Sequence, residues 1–595
     1  MSTVQVTSES LAHRRKVTGA HFTPPGLAAV LAARLAVAIK RTSGTTFRVL
    51  DPSCGDGELL LAFATAARMR VLPTLTLIGI EESVVSLNEA IERLQGIRDV
   101  KLEIIPGDFL EMAESRDNQM ALLAQRTRPN CFREPVDVVI ANPPYVRTQI
   151  LGSDRARGLA RKFGLTGRVD LYHAFTVAMT QALAVGGLLG MITSNRFLTT
   201  KGGQALREFL ASEFDILEIL DLGDTKLFEA AVLPAVFIGR RRAPAERRSR
   251  AGQRVSFTRV YENSTATTDE DEPSLAASSV CEILRSPQSG VYRVGSQRYS
   301  ASVGIFSIPD DAEHPWAMLT EEEKAWLECV DSHAPHRIED VARVRVGIKT
   351  TADSVFIRSD WDSLPEGLRP EDELLRPILS HDHARRWRCL TEPKKHRKVL
   401  YTHEERSGRR CAIDLNQFPR AAAYLESHRR QLEQRTYIRE ANRNWYEIWV
   451  PQEPSAWSLP KLVFPDISPE PIFFFDNTGA IVDGDCYWIT SYREDSEDTL
   501  FLIMALANSC LMTRYHELAF QNKLYSGRRR YLAQYVSRYP LPKLRADQGS
   551  MLVSVAKRLA LGNVSDSEQI ALEEGIERLA AKAFGVDPVG KDLKG

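Results

Sequence analysis

Residues 1 to about 240 predict a doubly wound, Rossmann-like α/β sheet. Three observations carry that expectation. Apolar, β-branched runs alternate with helical patterns over this whole stretch, the signature of a sheet with helices on both faces. Four successive run ends offer a polar side chain, in the order Asp51, Glu81, Asp108 and Asn142. In open α/β sheets the ligand crevice lies at those carboxyl ends. The last two runs have only a short connection, which predicts an antiparallel hairpin at one edge of the sheet.

Taken in order, the strands are expected at 47–51, 75–81, 101–105, 136–140, 187–193, 214–222 and 233–240. Helical spacing falls at about 26–40, 57–68, 84–96, 170–185 and 202–212. A catalytic domain is therefore expected over 1–243. From 244 to 290 the chain turns basic (RRRAPAERRSRAGQR runs into it) and then acidic (TATTDEDEP), which reads as a linker or flexible excursion. Residues 291–595 are richer in aromatics, Pro and Arg and less regular, and are expected to form a mixed α+β C-terminal domain. A last helix is expected at 566–584, opened by a capping-box-like Ser565-Asp-Ser-Glu568 and followed by Ile570, Leu572, Ile576, Leu579 and Phe584.

The chain has 595 residues, 43% hydrophobic and 26% charged, with a formal net charge of zero. That is ordinary for a globular protein of two or three domains. Any nucleic-acid contact must come from local patches. Its eight cysteines include no C-x-x-C pair, which argues against zinc and for a reducing compartment. No apolar run is long enough for a membrane span, and no signal peptide is read. No metal site is expected.

The strand-end residues suggest their own chemistry. Asp51 is followed by Pro52, Ser53, Cys54, Gly55 and Gly57. This is neither G-x-G-x-x-G nor a P-loop. A carboxylate beside flexible glycines suits a cationic amine better than a pyrophosphate, and the glycines let a ligand approach the backbone. Glu81 is placed to accept from ribose hydroxyls. Asp108 could accept from an adenine amino group, with Phe109 packing on the ring. After Val138-Val139-Ile140-Ala141 come Asn142, Pro143, Pro144 and Tyr145. The prolines end ladder pairing yet keep their carbonyls as acceptors. An amide oxygen, a carbonyl and an aromatic ring fit a planar ligand bearing an NH2 group.

With those motifs in this order, the chain resembles the S-adenosylmethionine-dependent N6-adenine DNA methyltransferases of the gamma arrangement, found in type II restriction–modification systems. TGAHFTP (18–24) resembles the family's N-terminal cofactor motif, which implies cofactor roles for Thr18, Phe22, Thr23 and Pro24. DPSCGDG resembles the main cofactor loop, and NPPY the catalytic motif. TSNRF (193–197) resembles a later motif whose aromatic residue, here Phe197, helps clamp the target base. The resemblance implies S-adenosyl-L-methionine as cofactor, double-stranded DNA as substrate and a target adenine flipped out of the helix. It also implies catalytic roles for Asn142, Pro143, Pro144, Tyr145 and Phe197, with Asn142 contacting the cofactor as well.

The C-terminal half resembles the family's recognition regions more loosely, through RVGIKTTADSVFI (345–357), NWYEIW (444–449), PKLVFPDIS (460–468) and YLAQYVSRYPLP (531–542). Its basic stretches supply candidate DNA contacts at Arg385, Arg386, Trp387, Lys523, Arg528, Arg529 and Arg530. The 17 residues before Thr18 are too few for a nuclease domain, so a separately encoded restriction endonuclease is expected as partner. A cytoplasmic monomer is expected. Cytosine-N4, ribosomal RNA and protein-glutamine methylation stand as alternatives. Cytosine-C5 chemistry is disfavoured because neither Cys54 nor Cys131 occupies a catalytic position.

Overall fold

The computed structural model describes residues 22–40, 46–70, 72, 74–113, 134–145, 153–165, 170–228, 233–246, 252–263, 274–311, 314–390, 396–493, 497–524 and 527–588. It divides into two compact units, residues 1–321 with 524–527, and residues 322–523 with 528–595.

The first unit is built on one eleven-stranded sheet, ordered β3-β2-β1-β4-β5-β7-β6-β8-β11-β10-β9. Its elements are α1 (Pro25–Ala38), β1 (Phe47–Asp51), α2 (Glu58–Met69), β2 (Leu75–Glu81), α3 (Val84–Leu94), β3 (Val100–Pro106), α4 (Phe109–Met112) and β4 (Val136–Ala141). Next come α5 (Ser153–Phe163), α6 (Leu171–Ala182), β5 (Leu183–Ser194), α7 (Arg196–Thr199), α8 (Gln204–Glu213), β6 (Phe214–Asp221) and β7 (Pro234–Arg241). The unit closes with β8 (Arg254–Asn263), β9 (Leu275–Ala276), α9 (Val280–Arg285), β10 (Gly290–Val294) and β11 (Gln297–Ser307).

Strands β1 to β5 pair in parallel, so their carboxyl ends share one edge. Period-two alternation feeds two cores, one on each face. Leu50 and Val139 enter the core with α6, whereas Val49 and Val138 enter the core with α1 and α2. Burial on both faces explains why these strands read as continuous apolar runs.

Two expectations are corrected here. The β6–β7 pair is antiparallel as expected, but it lies inside the sheet, because β7 also pairs with β5 and β6 also pairs with β8. The stretch 244–290 is not simply a linker. It contains β8, whose Val255, Phe257 and Val260 are buried, and α9, which packs on α1 with Arg34 donating to the Leu284 carbonyl at 2.7 Å. Charged flanks hid the strand's alternation. The sheet runs on to Ser307, and the compact unit ends at Glu321 rather than near 243 or 290. Residues 247–251 and 264–273 lie outside the described residues.

The second unit is mixed α+β. One four-stranded sheet joins 342–346, 486–491, 461–465 and 474–476; another joins 357–358, 398–400, 375–379 and 481–482. Its last helix spans Asp566–Phe584, and the Ser565 hydroxyl accepts from the Glu568 N–H. Ile576 and Phe584 are buried, while Ile570 faces solvent.

Candidate active site

Asp51 closes β1 and is 1% exposed. Its Oδ1 accepts from the Ser53 N–H at 3.1 Å, whereas its Oδ2 is buried without a partner among the described residues. Burial pushes the carboxyl from 3.8 up to about 8, against the Ser53 hydrogen bond and with the charges of Glu81 and Asp56 adding to the rise. The loop then turns through Gly55 (φ 53°) and Gly57 (φ 83°). Gly57 has little choice: a Cβ there would sit 3.1 Å from Leu94 and 3.3 Å from Ala90. Cys54 is buried, and burial raises its thiol pKa far above the ordinary value, so it is no nucleophile at neutral pH.

Glu81 ties this loop to β2. Its Oε2 accepts from Gly55 N–H at 3.0 Å and its Oε1 from Ser83 N–H at 2.8 Å. Asp108 caps α4, accepting from Leu110 N–H at 2.7 Å, and lies 3.8 Å from the Arg155 guanidinium. Phe109 is 1% exposed and stacks on Phe175 with ring centroids 5.8 Å apart.

Ala141 ends β4 and delivers Asn142 to the same edge. Asn142 Nδ2 donates to the Thr23 hydroxyl at 3.0 Å, Tyr145 OH donates to Asn142 Oδ1, and Ser53 Oγ donates to the Asn142 carbonyl at 3.4 Å. Three segments far apart in sequence, 22–24, 51–55 and 142–145, thus form one bonded cluster. Phe22 is half exposed beside the Gly55 backbone, and Pro24 caps α1. Pro52 and Pro143 are buried; Ser53 and Pro144 are half-buried. Burial raises the Tyr145 hydroxyl pKa well above its ordinary value, so it donates as a neutral phenol. Thr18 and Cys131 lie outside the described residues.

Phe197 departs from its expected place. It is 0% exposed and meets Trp316 edge-to-face at 6.0 Å. The short α7 turns it inward, and buried Arg207 locks that turn by donating to the Phe197 and Thr200 carbonyls at 2.7 and 2.9 Å. In this conformation its ring cannot clamp a base.

Several C-terminal candidates are likewise absorbed by the fold. Trp387 is 1% exposed and its indole N–H donates to Glu573 at 2.7 Å. Arg386 pairs with Glu573 at 3.4 Å and donates to the Asn508 carbonyl. Arg529 is buried on Glu517, and Arg530 pairs with Asp466 at 2.7 Å. Arg385 and Arg528 are exposed, and Lys523 is half-buried. Carboxylates outside the basic runs neutralise Arg386, Arg529 and the exposed Arg530, which no charge run reveals. Tyr525 lies outside the described residues.

One cluster had only a faint sequence signal. Asp221, at the end of β6, accepts from Asn195 Nδ2 at 3.0 Å, Gly223 N–H at 3.2 Å and Tyr261 OH at 2.5 Å. An Asp-Leu-Gly-Asp run at a strand end was the available clue; Tyr261 offered none. No group of three or more metal-ligating side chains is assembled among the described residues. Among them no helix is long and apolar enough to cross a membrane.

A family model described as the Eco57I restriction-modification methylase matches residues 81–228. The type II methyltransferase M.BanIII of Aneurinibacillus aneurinilyticus is 46% identical over 589 residues, covering 98% of this chain and 100% of that one. The chain belongs to the type II restriction–modification methyltransferases. Within that family, M.PaeR7I of Pseudomonas aeruginosa is 26% identical over 414 residues, 68% of this chain and 64% of that one. A solved structure of a nuclease-deletion mutant of the Type ISP restriction–modification enzyme LlaGI, in complex with a DNA substrate mimic, shares the fold. It has a TM-score of 0.52 and 12% identity, over 91% of this chain and 47% of that chain.

The methyltransferase uses S-adenosylmethionine, and its strand-end loops suit that ligand. Asp51 Oδ2, buried without a partner among the described residues, would accept from the ligand's ammonium once the carboxyl ionises. Glu81 and Asp108 each keep lone pairs beyond the backbone bonds they accept.

Proposed function

We propose that this enzyme methylates N6 of an adenine flipped out of duplex DNA at a specific site. In that role it protects host DNA from a separately encoded restriction endonuclease. The observation that carries the reading is Asn142, whose amide is oriented by Thr23 and whose backbone carbonyl is held by Ser53. An exocyclic adenine amine is a poor nucleophile because its lone pair is delocalised into the ring. Asn142 Oδ1 and the Pro143 carbonyl accept its two hydrogens, which localises the lone pair on the nitrogen. Tyr145 must first release Asn142 Oδ1; its freed ring then stacks on the base, an interaction worth roughly 1–3 kcal/mol. S-adenosylmethionine supplies an electrophilic methyl group. Asp51 would hold the ligand's ammonium, Glu81 its ribose and Asp108 its adenine amine. The chain's contribution is mainly positioning, worth on the order of 7–11 kcal/mol at best. Asn at position 142 favours adenine over cytosine N4, for which Ser often stands in the motif.

Nucleoside mass spectrometry of unmethylated DNA incubated with enzyme and cofactor tests this. N6-methyladenine is expected, and N4-methylcytosine would reassign the base. Asn142→Ala should abolish transfer and leave cofactor binding intact; undiminished turnover would remove Asn142 from catalysis.

A further inference from the structure

Helix α5, Ser153–Phe163, belongs to none of the motifs above. Its sequence, SDRARGLARKF, holds four basic residues against one acidic residue in a chain of zero net charge. Helical spacing sorts it cleanly. Ala156 and Phe163 are buried and Leu159 is partly buried in the α6-side core. Arg155, Arg157 and Arg161 are exposed. The helix is fixed beside the site: Arg155 lies 3.8 Å from Asp108, and Lys162 donates to the Leu110 carbonyl. Gly158 sits in the middle of the outward face, and a Cβ there would meet nothing within 4 Å. No packing among the described residues demands that glycine, and an exposed helix interior disfavours it. Its effect is a flat gap between arginines.

The rim next to α5 has the wrong charge for a polyanion. Glu81, Glu82 and Asp108 crowd together there; burial and the charges of Asp108 and Glu81 hold the Glu82 carboxyl above its usual range, with Arg155 opposing. Phosphates approaching that rim are repelled unless cations stand beside it. We propose that the outward face of α5, with Arg155, Arg157 and Arg161 around Gly158, is a contact surface on the catalytic unit for the phosphate backbone of duplex DNA. Arg157 shares its charge with Asp154 at 2.6 Å, but both side chains are highly exposed, and such a pair yields readily to a stronger anion. This inference rests on DNA being the substrate.

The test is fluorescence anisotropy of the full-length protein with a labelled duplex across a salt series, beside methylation kinetics. Arg157→Gln/Arg161→Gln should weaken binding roughly ten- to hundredfold near 0.1 M salt and flatten the slope of log affinity against log salt by about two. KM for DNA should rise with kcat and cofactor affinity unchanged. Arg157→Lys/Arg161→Lys should restore the slope. A Gln variant with wild-type affinity and slope overturns the assignment. So does a Lys variant as weak as the Gln variant, since charge would then not be the cause. A wild-type protein that neither binds nor methylates the duplex sinks the DNA reading itself. Wild-type methylation with an unaffected Gln variant sinks only the role of α5.

Discussion

Asp51→Asn tests how the strand-end carboxylate receives the cofactor. Burial lifts this carboxyl from 3.8 to about 8 in the ligand-free fold. Between those values the folded protein holds a proton that the unfolded chain has released, so stability falls as pH rises through that window. At pH 7 about three of the four pH units have been crossed, a cost of about 4 kcal/mol at ~1.4 kcal/mol per unit. Asn has the same size and no proton to exchange. The variant's ligand-free stability should therefore rise by up to about 4 kcal/mol at pH 7 and lose this pH slope. If the cofactor's ammonium sits on Asp51, as proposed, it reverses the balance, because it gives Asp51 Oδ2 a donor and favours the carboxylate. Binding below pH 8 must then expel about one proton, and affinity should climb about tenfold per unit from pH 6 toward pH 8. Above that the ligand's α-amine, with an ordinary pKa of ~7.7–8.0, loses its own proton and affinity declines. Titration calorimetry in two buffers of different ionisation enthalpy reads both the affinity and the proton. Asp51→Asn should bind more weakly by roughly 1.5–3 kcal/mol, the worth of a charged hydrogen bond, and show no acid limb. Wild-type affinity that is flat from pH 6 to 8 with no proton released would refute the reasoning, as would a variant binding as tightly as wild type.

Two further outcomes follow from the same contacts. Thr23→Val removes the acceptor for Asn142 Nδ2, so tritiated-methyl transfer at saturating cofactor should slow by roughly 5- to 30-fold, and Thr23→Ser should recover most of the rate. In the second unit, Lys461 and Asp476 form an ion pair at 2.9 Å with both side chains buried. Lys461→Met should destabilise that unit by roughly 3–5 kcal/mol in urea melts, and Lys461→Met/Asp476→Leu should return most of it, since the penalty is the stranded charge.

The strands around the cluster were legible because each is a short apolar run between polar turns; β1 and β2 fall at the expected 47–51 and 75–81. The loops were legible because their polar residues stand at strand ends, where side-chain identity speaks for itself. Ring directions were not. Phe109 and Phe197 point inward because Phe175 and Trp316 wait for them, partners some 66 and 119 residues away in sequence. Arg529 looked like a free cation because Glu517 reaches it only in the folded unit. The strand β8 was hidden by its flanks, since ten residues of alternation are outweighed by charged runs on both sides. The end of α6 shifted for a related reason. Helical spacing continues to 185, but the chain leaves the helix at Ala182 to begin β5, turning at Gly186 with φ 79°.

The choice of Asn rather than Asp at position 142 follows from its partners. A carboxylate would be the stronger acceptor for an amine's hydrogens, so acceptor strength alone favours Asp. An Asp side chain has no N–H to give Thr23, however, and it would set another carboxyl in the loop cluster that already holds those of Asp51 and Glu81. Like charges in one cluster raise one another's pKa, and a protonated carboxyl at this position would present a donor where an acceptor is needed. The amide avoids both faults: it is neutral at every pH, and its N–H2 bond to Thr23 aims the oxygen at Tyr145 and, in the proposed reaction, would leave it to the substrate once Tyr145 withdraws. Asn142→Asp should therefore lose methyl transfer at pH 7 while still binding the cationic cofactor at least as tightly as wild type. Single-turnover transfer and calorimetry on the same preparation separate the two effects. Transfer within about threefold of wild type, less than ~0.7 kcal/mol, would mean that acceptor strength, not amide orientation, governs the step.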